Sequence, residues 1–83
     1  MFDVYAIESL TIKRIYIGYT RDINERLKYH NSGYVKSTAE GRPWKVISLE
    51  KVGNREDARW LEFSLKKSKG KRIKWLNQNR IKA

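Results

Sequence analysis

The sequence predicts a small α+β domain with its elements in the order β-β-α-β-α-α. Two apolar stretches near the start alternate with a period of two, and a third follows the only proline. The remaining segments carry apolar residues at helical spacing behind polar caps. With 83 residues and no repeat, low-complexity linker or break in composition, the chain makes a single domain over 1–83. A domain of this size buries only about 60% of the surface its unfolded form exposes, so its core is small.

Residues 2–8 put Phe2, Val4 and Ala6 on one face and Tyr5 and Ile7 on the other. Residues 13–19 repeat the alternation, and the short polar link between them predicts a β-hairpin. The third strand falls at 44–51, with Pro43 just ahead of it, where a missing N–H is tolerated. The first helix opens at Asp22, with Glu25 three residues on as in a capping box, and stops at Gly33. Ile23, Leu27 and His30 share one face of it. The second helix starts at Asn54 and turns Ala58, Leu61, Glu62 and Leu65 inward. A shorter third helix covers about 71–80, with Ile73, Leu76, Asn77 and Arg80 on one side, and 34–42 reads as a polar, basic loop. The three tryptophans, Trp44, Trp60 and Trp75, are expected in the core rather than stacked on bases.

Charge narrows the function. Nineteen Lys and Arg against nine Asp and Glu give a formal charge of +10, which favours a polyanionic partner, nucleic acid ahead of an anionic membrane. A basic but inert surface satisfies the same arithmetic. Cysteine is absent and His30 is the sole histidine, which excludes disulfide scaffolds, thiol catalysis and Cys/His zinc modules. No apolar run approaches the roughly 18 residues of a membrane span, and the first residues lack the basic and apolar regions of a signal peptide. A reducing, cytoplasmic setting without membrane contact is the expectation.

Several residues fit the bland reading poorly. Tyr5 and Tyr16 occupy equivalent places in the paired strands, and Gly18 weakens a strand interior unless something approaches its backbone closely. Glu62 shares a face with Ala58, Leu61 and Leu65, where a carboxylate needs either a lysine partner or a metal. Arg26 and His30 lie one helical turn apart and project from nearly one face.

Together these residues resemble the GIY-YIG nuclease superfamily, in particular its short stand-alone bacterial members. Asp3-Val4-Tyr5 occupies the place of the first motif, with Asp3 where the family name has glycine, and Tyr16-Ile17-Gly18 is a literal second motif. Arg26 and His30 match the arginine and histidine of the following helix, Glu62 the metal-binding glutamate, and Asn77 the asparagine near the domain's end. The stretches 30–33 and 42–46 look alike as well, so the resemblance covers essentially the whole chain. It implies a three-stranded antiparallel sheet flanked by helices.

It also implies a metal-dependent endonuclease hydrolysing phosphodiester bonds in DNA. Glu62 would hold one divalent ion, Mg²⁺ or Mn²⁺, a hard cation that keeps most of its waters. Tyr5 is the first choice of base and Tyr16 its positioning partner, although the sequence does not order them. An unperturbed phenol has a pKa near 10, so a cation or a proton acceptor is expected to bias it toward ionisation. Arg26 would grip the phosphate, His30 relay a proton or hold a phosphate, and Asn77 orient backbone or substrate. Lys36, Arg42, Lys66, Lys67, Lys69, Lys71, Arg72 and Lys74 are candidates for phosphate contacts, although 66–74 also reads as a solvated helix junction. No appended DNA-reading module is expected, which favours flapped, branched, nicked or single-stranded substrates and, by analogy, DNA repair or recombination. The alternative is a non-catalytic nucleic-acid-binding module on the same scaffold.

Overall fold

The computed structural model describes residues 1–82. Its elements are β1 (Phe2–Ser9), β2 (Ile15–Thr20), α1 (Ile23–Ser32), α2 (Lys36–Ala39), β3 (Trp44–Val52), α3 (Arg55–Lys67) and α4 (Lys69–Gln78). The three strands form an antiparallel sheet, as the resemblance implies, and the sheet order is β2-β1-β3.

Alternation in β1 builds a core on each face of the sheet. Phe2, Val4 and Ala6 join Ile17, Ile47, Ala58, Leu65, Trp75 and Leu76 beneath α3 and α4. Tyr5 and Ile7 join Trp44 on the opposite face, against Ile23 and Leu27 of α1. A bulge in the pairing of β1 with β3 between Ala6 and Ile7 turns both Ile47 and Ser48 toward α4, where the Ser48 hydroxyl donates to the Leu76 carbonyl at 2.8 Å. The chain after α4 lies along β3, with backbone hydrogen bonds from Leu49 to Asn79 and from Ile81 to Ile47. That covers the outer edge of β3 and leaves β2 as the open edge.

The helix starts follow their caps. Asp22 accepts from the Glu25 N–H at 3.2 Å, and Asn54 accepts from the Asp57 N–H at 2.8 Å. Gly33, at φ 90°, ends α1 in the left-handed conformation that glycine adopts without strain.

Four local expectations change. Lys13 and Arg14 belong to the hairpin link, because β2 starts at Ile15 and runs to Thr20. The polar stretch 34–42 contains the helical turn α2, closed by a Gly41 N–H to Thr38 carbonyl bond. The last helix starts earlier, at Lys69, capped by the Ser68 hydroxyl, and buries Trp75 and Leu76 while Ile73 faces solvent. Its inward phase is set by the Trp75 indole N–H donating to the Glu50 carboxylate at 2.7 Å, a cross-element bond. Trp44 and Trp75 are core residues as expected, but Trp60 is 67% exposed and stacks on Phe63 along the outer side of α3.

Candidate active site

Tyr5 pairs across the sheet with Gly18, and Tyr16 pairs with Ile7, so the two tyrosines are diagonal neighbours on one face. Their ring centroids are 6.4 Å apart. The absent side chain of Gly18 is what lets them close. A Cβ there would stand 2.7 Å from the Tyr5 hydroxyl oxygen and 3.1 Å from Tyr16 Cε1. The strand glycine is therefore a close-approach residue.

Behind Tyr5 lies a buried polar chain. Its hydroxyl is 2.8 Å from His30 Nε2, and His30 Nδ1 is 2.8 Å from Thr38 Oγ1. The Thr38 hydroxyl donates to the Val35 carbonyl at 3.2 Å, which spends its one proton. Nδ1–H must then donate to Thr38, leaving the Nε2 lone pair to accept from the Tyr5 hydroxyl. Thr38 is held in turn, since its carbonyl accepts from the Trp44 indole N–H at 2.7 Å.

Burial dominates the protonation of this pair. It lowers His30 from 6.5 to about 4, with the nearby Arg26 charge adding to the effect. Burial likewise raises Tyr5 to about 12, and Arg26 pulls the other way without prevailing. The expected bias of Tyr5 toward ionisation is thus reversed: the site at rest holds a neutral phenol and a neutral imidazole.

The pocket in front of Tyr5 draws on both sides of the sheet at its open edge. Tyr5, Tyr16, Gly18, Tyr19 and Thr20 come from the strands, Arg26 from α1, and Glu62 and Arg55 from α3, with Phe2 and Arg21 completing the wall. Glu62 is half-buried, and Lys66, one turn along, reaches it only at 3.8 Å. Lys66 also lies over the Tyr16 ring, 5.4 Å from its centroid. No group of three or more His, Cys, Asp or Glu side chains comes together among the described residues. The donor set therefore fits a hard cation held by one carboxylate and water, and it does not fit an all-protein cage.

The structure brings Tyr5, Tyr16, Arg26 and Glu62 to one pocket, with His30 directly behind. It does not bring Asn77 there. Asn77 faces solvent on α4, and the neighbouring Asn79 is spent on the helix end, its amide donating to the Trp75 carbonyl at 3.0 Å. Among the basic candidates, Lys66 and Arg72 line a depression adjoining the pocket across Tyr16. Arg72 also caps α3 through the Leu65 and Lys66 carbonyls. Lys67 lies over Phe63, and Arg42 donates Nε–H to the Ala39 carbonyl at 2.8 Å. Lys36, Lys69, Lys71 and Lys74 are exposed on α2 and α4.

Three residues of the site escaped the sequence reading. Thr38 sits in a polar stretch with no periodicity to mark it, and Arg21 and Arg55 stand beside helix caps, where a basic residue carries no signal of its own. Asp3 acquires a structural role. Its buried carboxylate accepts from the Ile23 N–H at 3.3 Å and pairs with Lys51 at 3.0 Å, tying the start of α1 to β1.

Comparison with known proteins follows this geometry. Residues 1–79 match the family model described as the GIY-YIG catalytic domain. A UPF0213 protein of Syntrophus aciditrophicus (strain SB) is 35% identical over 79 residues, covering 92% of this chain and 90% of that protein. A UPF0213 protein of Pediococcus pentosaceus is 35% identical over 69 residues, covering 81% of this chain and 73% of its own length. One from Streptococcus pneumoniae serotype 4 is 42% identical over 55 residues, covering 65% and 56%. No solved structure matches the chain.

Proposed function

Since the chain belongs to the GIY-YIG catalytic-domain family, a family of nuclease domains, we propose that it is a metal-dependent endonuclease that hydrolyses phosphodiester bonds in DNA. One observation carries the reading: Tyr5, Tyr16, Arg26 and Glu62, drawn from four elements, meet in one pocket at the open edge of the sheet.

Each residue has a task that its surroundings support. The planar guanidinium of Arg26 receives the scissile phosphate and stabilises the charge that builds on its oxygens. Tyr5 donates its own proton to His30 Nε2, which leaves its oxygen lone pairs to accept the proton of the attacking water. Passing a proton from a phenol at about 12 to an imidazole at about 4 is steeply uphill in the free protein. A phosphate on Arg26 offsets one of the two causes that depress His30 and so eases the transfer when substrate is in place. Tyr16 packs against both Tyr5 and His30 and holds their geometry. Glu62 would hold a divalent ion, Mg²⁺ or Mn²⁺, and the Lewis-acid stabilisation of the departing oxygen would come from it. By analogy with other nuclease domains of this family, the substrate is a flap, a branch, a nick or a single strand, and the setting DNA repair or recombination.

The second reading is a non-catalytic nucleic-acid-binding module. It is favoured by the near-complete burial of Tyr5, 1% exposed, and by its neutral resting state. A panel of labelled duplex, single-stranded, flapped and three-way-junction DNAs, in Mg²⁺ and in Mn²⁺, separates the two. The endonuclease cuts when metal is present and prefers a member with unpaired bases. Binding to every member with no cutting of any establishes the module instead.

A further inference from the structure

The tyrosine pocket does not end at Tyr16. The adjoining depression continues past it to Lys13, Arg14, Lys66 and Arg72, with Glu8 its one carboxylate. Successive residues of β2, from Ile15 through Thr20, line one or the other of the two depressions, so together they make a trough along the open edge of the sheet. Its length, six residues of strand, is about 17 Å at roughly 3.3 Å per residue. That is room for about three phosphates of one strand, whose backbone spaces them more widely than the roughly 3.4 Å axial rise.

At the far end from Lys66 stand two arginines that nothing above employs. Arg21 and Arg55 both pack over the Phe2 ring, their guanidinium carbons 5.2 and 5.6 Å from its centroid. Among the described residues neither forms an ion pair or a side-chain hydrogen bond, and both line the tyrosine pocket. Two like charges are thus held against one buried ring, one from the start of α1 and one from the start of α3. The ring orients both planar forks and lowers the entropy that each would lose on gripping an anion.

We propose that Arg21 and Arg55 form a second phosphate-binding site, which holds the nucleic-acid strand one or a few phosphates from the one on Arg26. The strand then runs along β2 toward Lys66, Lys13 and Arg14. This rests on the nuclease reading for the identity of the polyanion, and it assigns the strand's path.

The test is binding without turnover. A fluorescein-labelled oligothymidylate of about 15 nucleotides is titrated in metal-free buffer, and log K is followed against log salt from about 50 to 300 mM. The double variant Arg21→Gln/Arg55→Gln is expected to flatten the slope by roughly 1.4 units and to weaken binding about tenfold or more at the lowest salt. Arg21→Lys/Arg55→Lys, which loses the planar forks and keeps the charges, restores most of the slope. The control Lys28→Gln/Lys45→Gln removes the same charge from the outer side of α1 and from β3, off the trough, and changes the slope by less than half as much.

An unchanged slope in the glutamine variant overturns the second site and leaves the nuclease reading intact. So does an equal loss in the control, which would mean diffuse binding, or an equal loss in the lysine variant, which would mean damage to the fold around Phe2. Failure of the wild type to bind the oligonucleotide at all overturns the nucleic-acid reading itself.

Discussion

Gly18 and His30 carry the tightest constraints in the site, and both make predictions. Tyr5 cannot retreat from a Cβ at Gly18, because His30 pins its hydroxyl at 2.8 Å. Gly18→Ala is therefore expected to cost about 1–3 kcal/mol in a urea titration and to abolish cutting, as overpacked sites do. A variant as stable as the wild type would show that the tyrosines have slack. For His30, the folded value of about 4 lies below the ordinary 6.5, so between these two the unfolded chain binds more protons than the folded one. Stability thus rises with pH through this window, is complete above about 6.5, and falls as pH drops toward 4. Between pH 7 and 5 the loss is about 2 kcal/mol at 1.36 kcal/mol per unit. Urea midpoints at the two pH values measure it, and His30→Gln is expected to remove most of the difference. That Tyr5, Tyr16, Arg26 and Glu62 would meet in one pocket was legible in the sequence through the family resemblance, whereas the part of Thr38 was not. Its importance depends on His30 folding back over it, which no local pattern records.

Elements place these residues, and how well each could be read depends on what sets its phase. α1 and α3 were legible because each starts at a side-chain cap and turns a periodic apolar face inward. The Asp22 cap fixes where Arg26 and His30 point, and the Asn54 cap does the same for Glu62. Asn54→Ala is expected to cost about 1 kcal/mol in stability, with a larger effect on cutting than on binding, since α3 carries Glu62. Equal effects on both would make the cap merely structural. The phase of α4 was misread for a physical reason. Ile73, Trp75 and Leu76 are too closely spaced to define one face, and the choice is made by the Trp75–Glu50 bond to another element. Asn77 went outward with that phase. The turn α2 was invisible because a single helical turn in a polar stretch has no repeat to detect, and Trp60 stands outside because α3 meets the sheet through Ala58 and Leu65.

Across the whole molecule, the charge of +10 is organised as well as large. The chain after α4 covers the edge of β3, while the open edge at β2 carries the tyrosine pocket and the basic residues that continue it. If about six phosphates are neutralised, log K for DNA falls with log salt at a slope near −5. A slope near zero would return the chain to the class of inert basic proteins. The central claim is that this edge hydrolyses phosphodiesters with Glu62 as its metal ligand. It is tested most directly by measuring cutting and binding side by side, on the best-cut DNA in Mg²⁺, for the wild type and Glu62→Gln. The account predicts that the variant binds within a few-fold of the wild type and loses about 10³-fold or more in cutting rate. Cutting that survives in Glu62→Gln would contradict it.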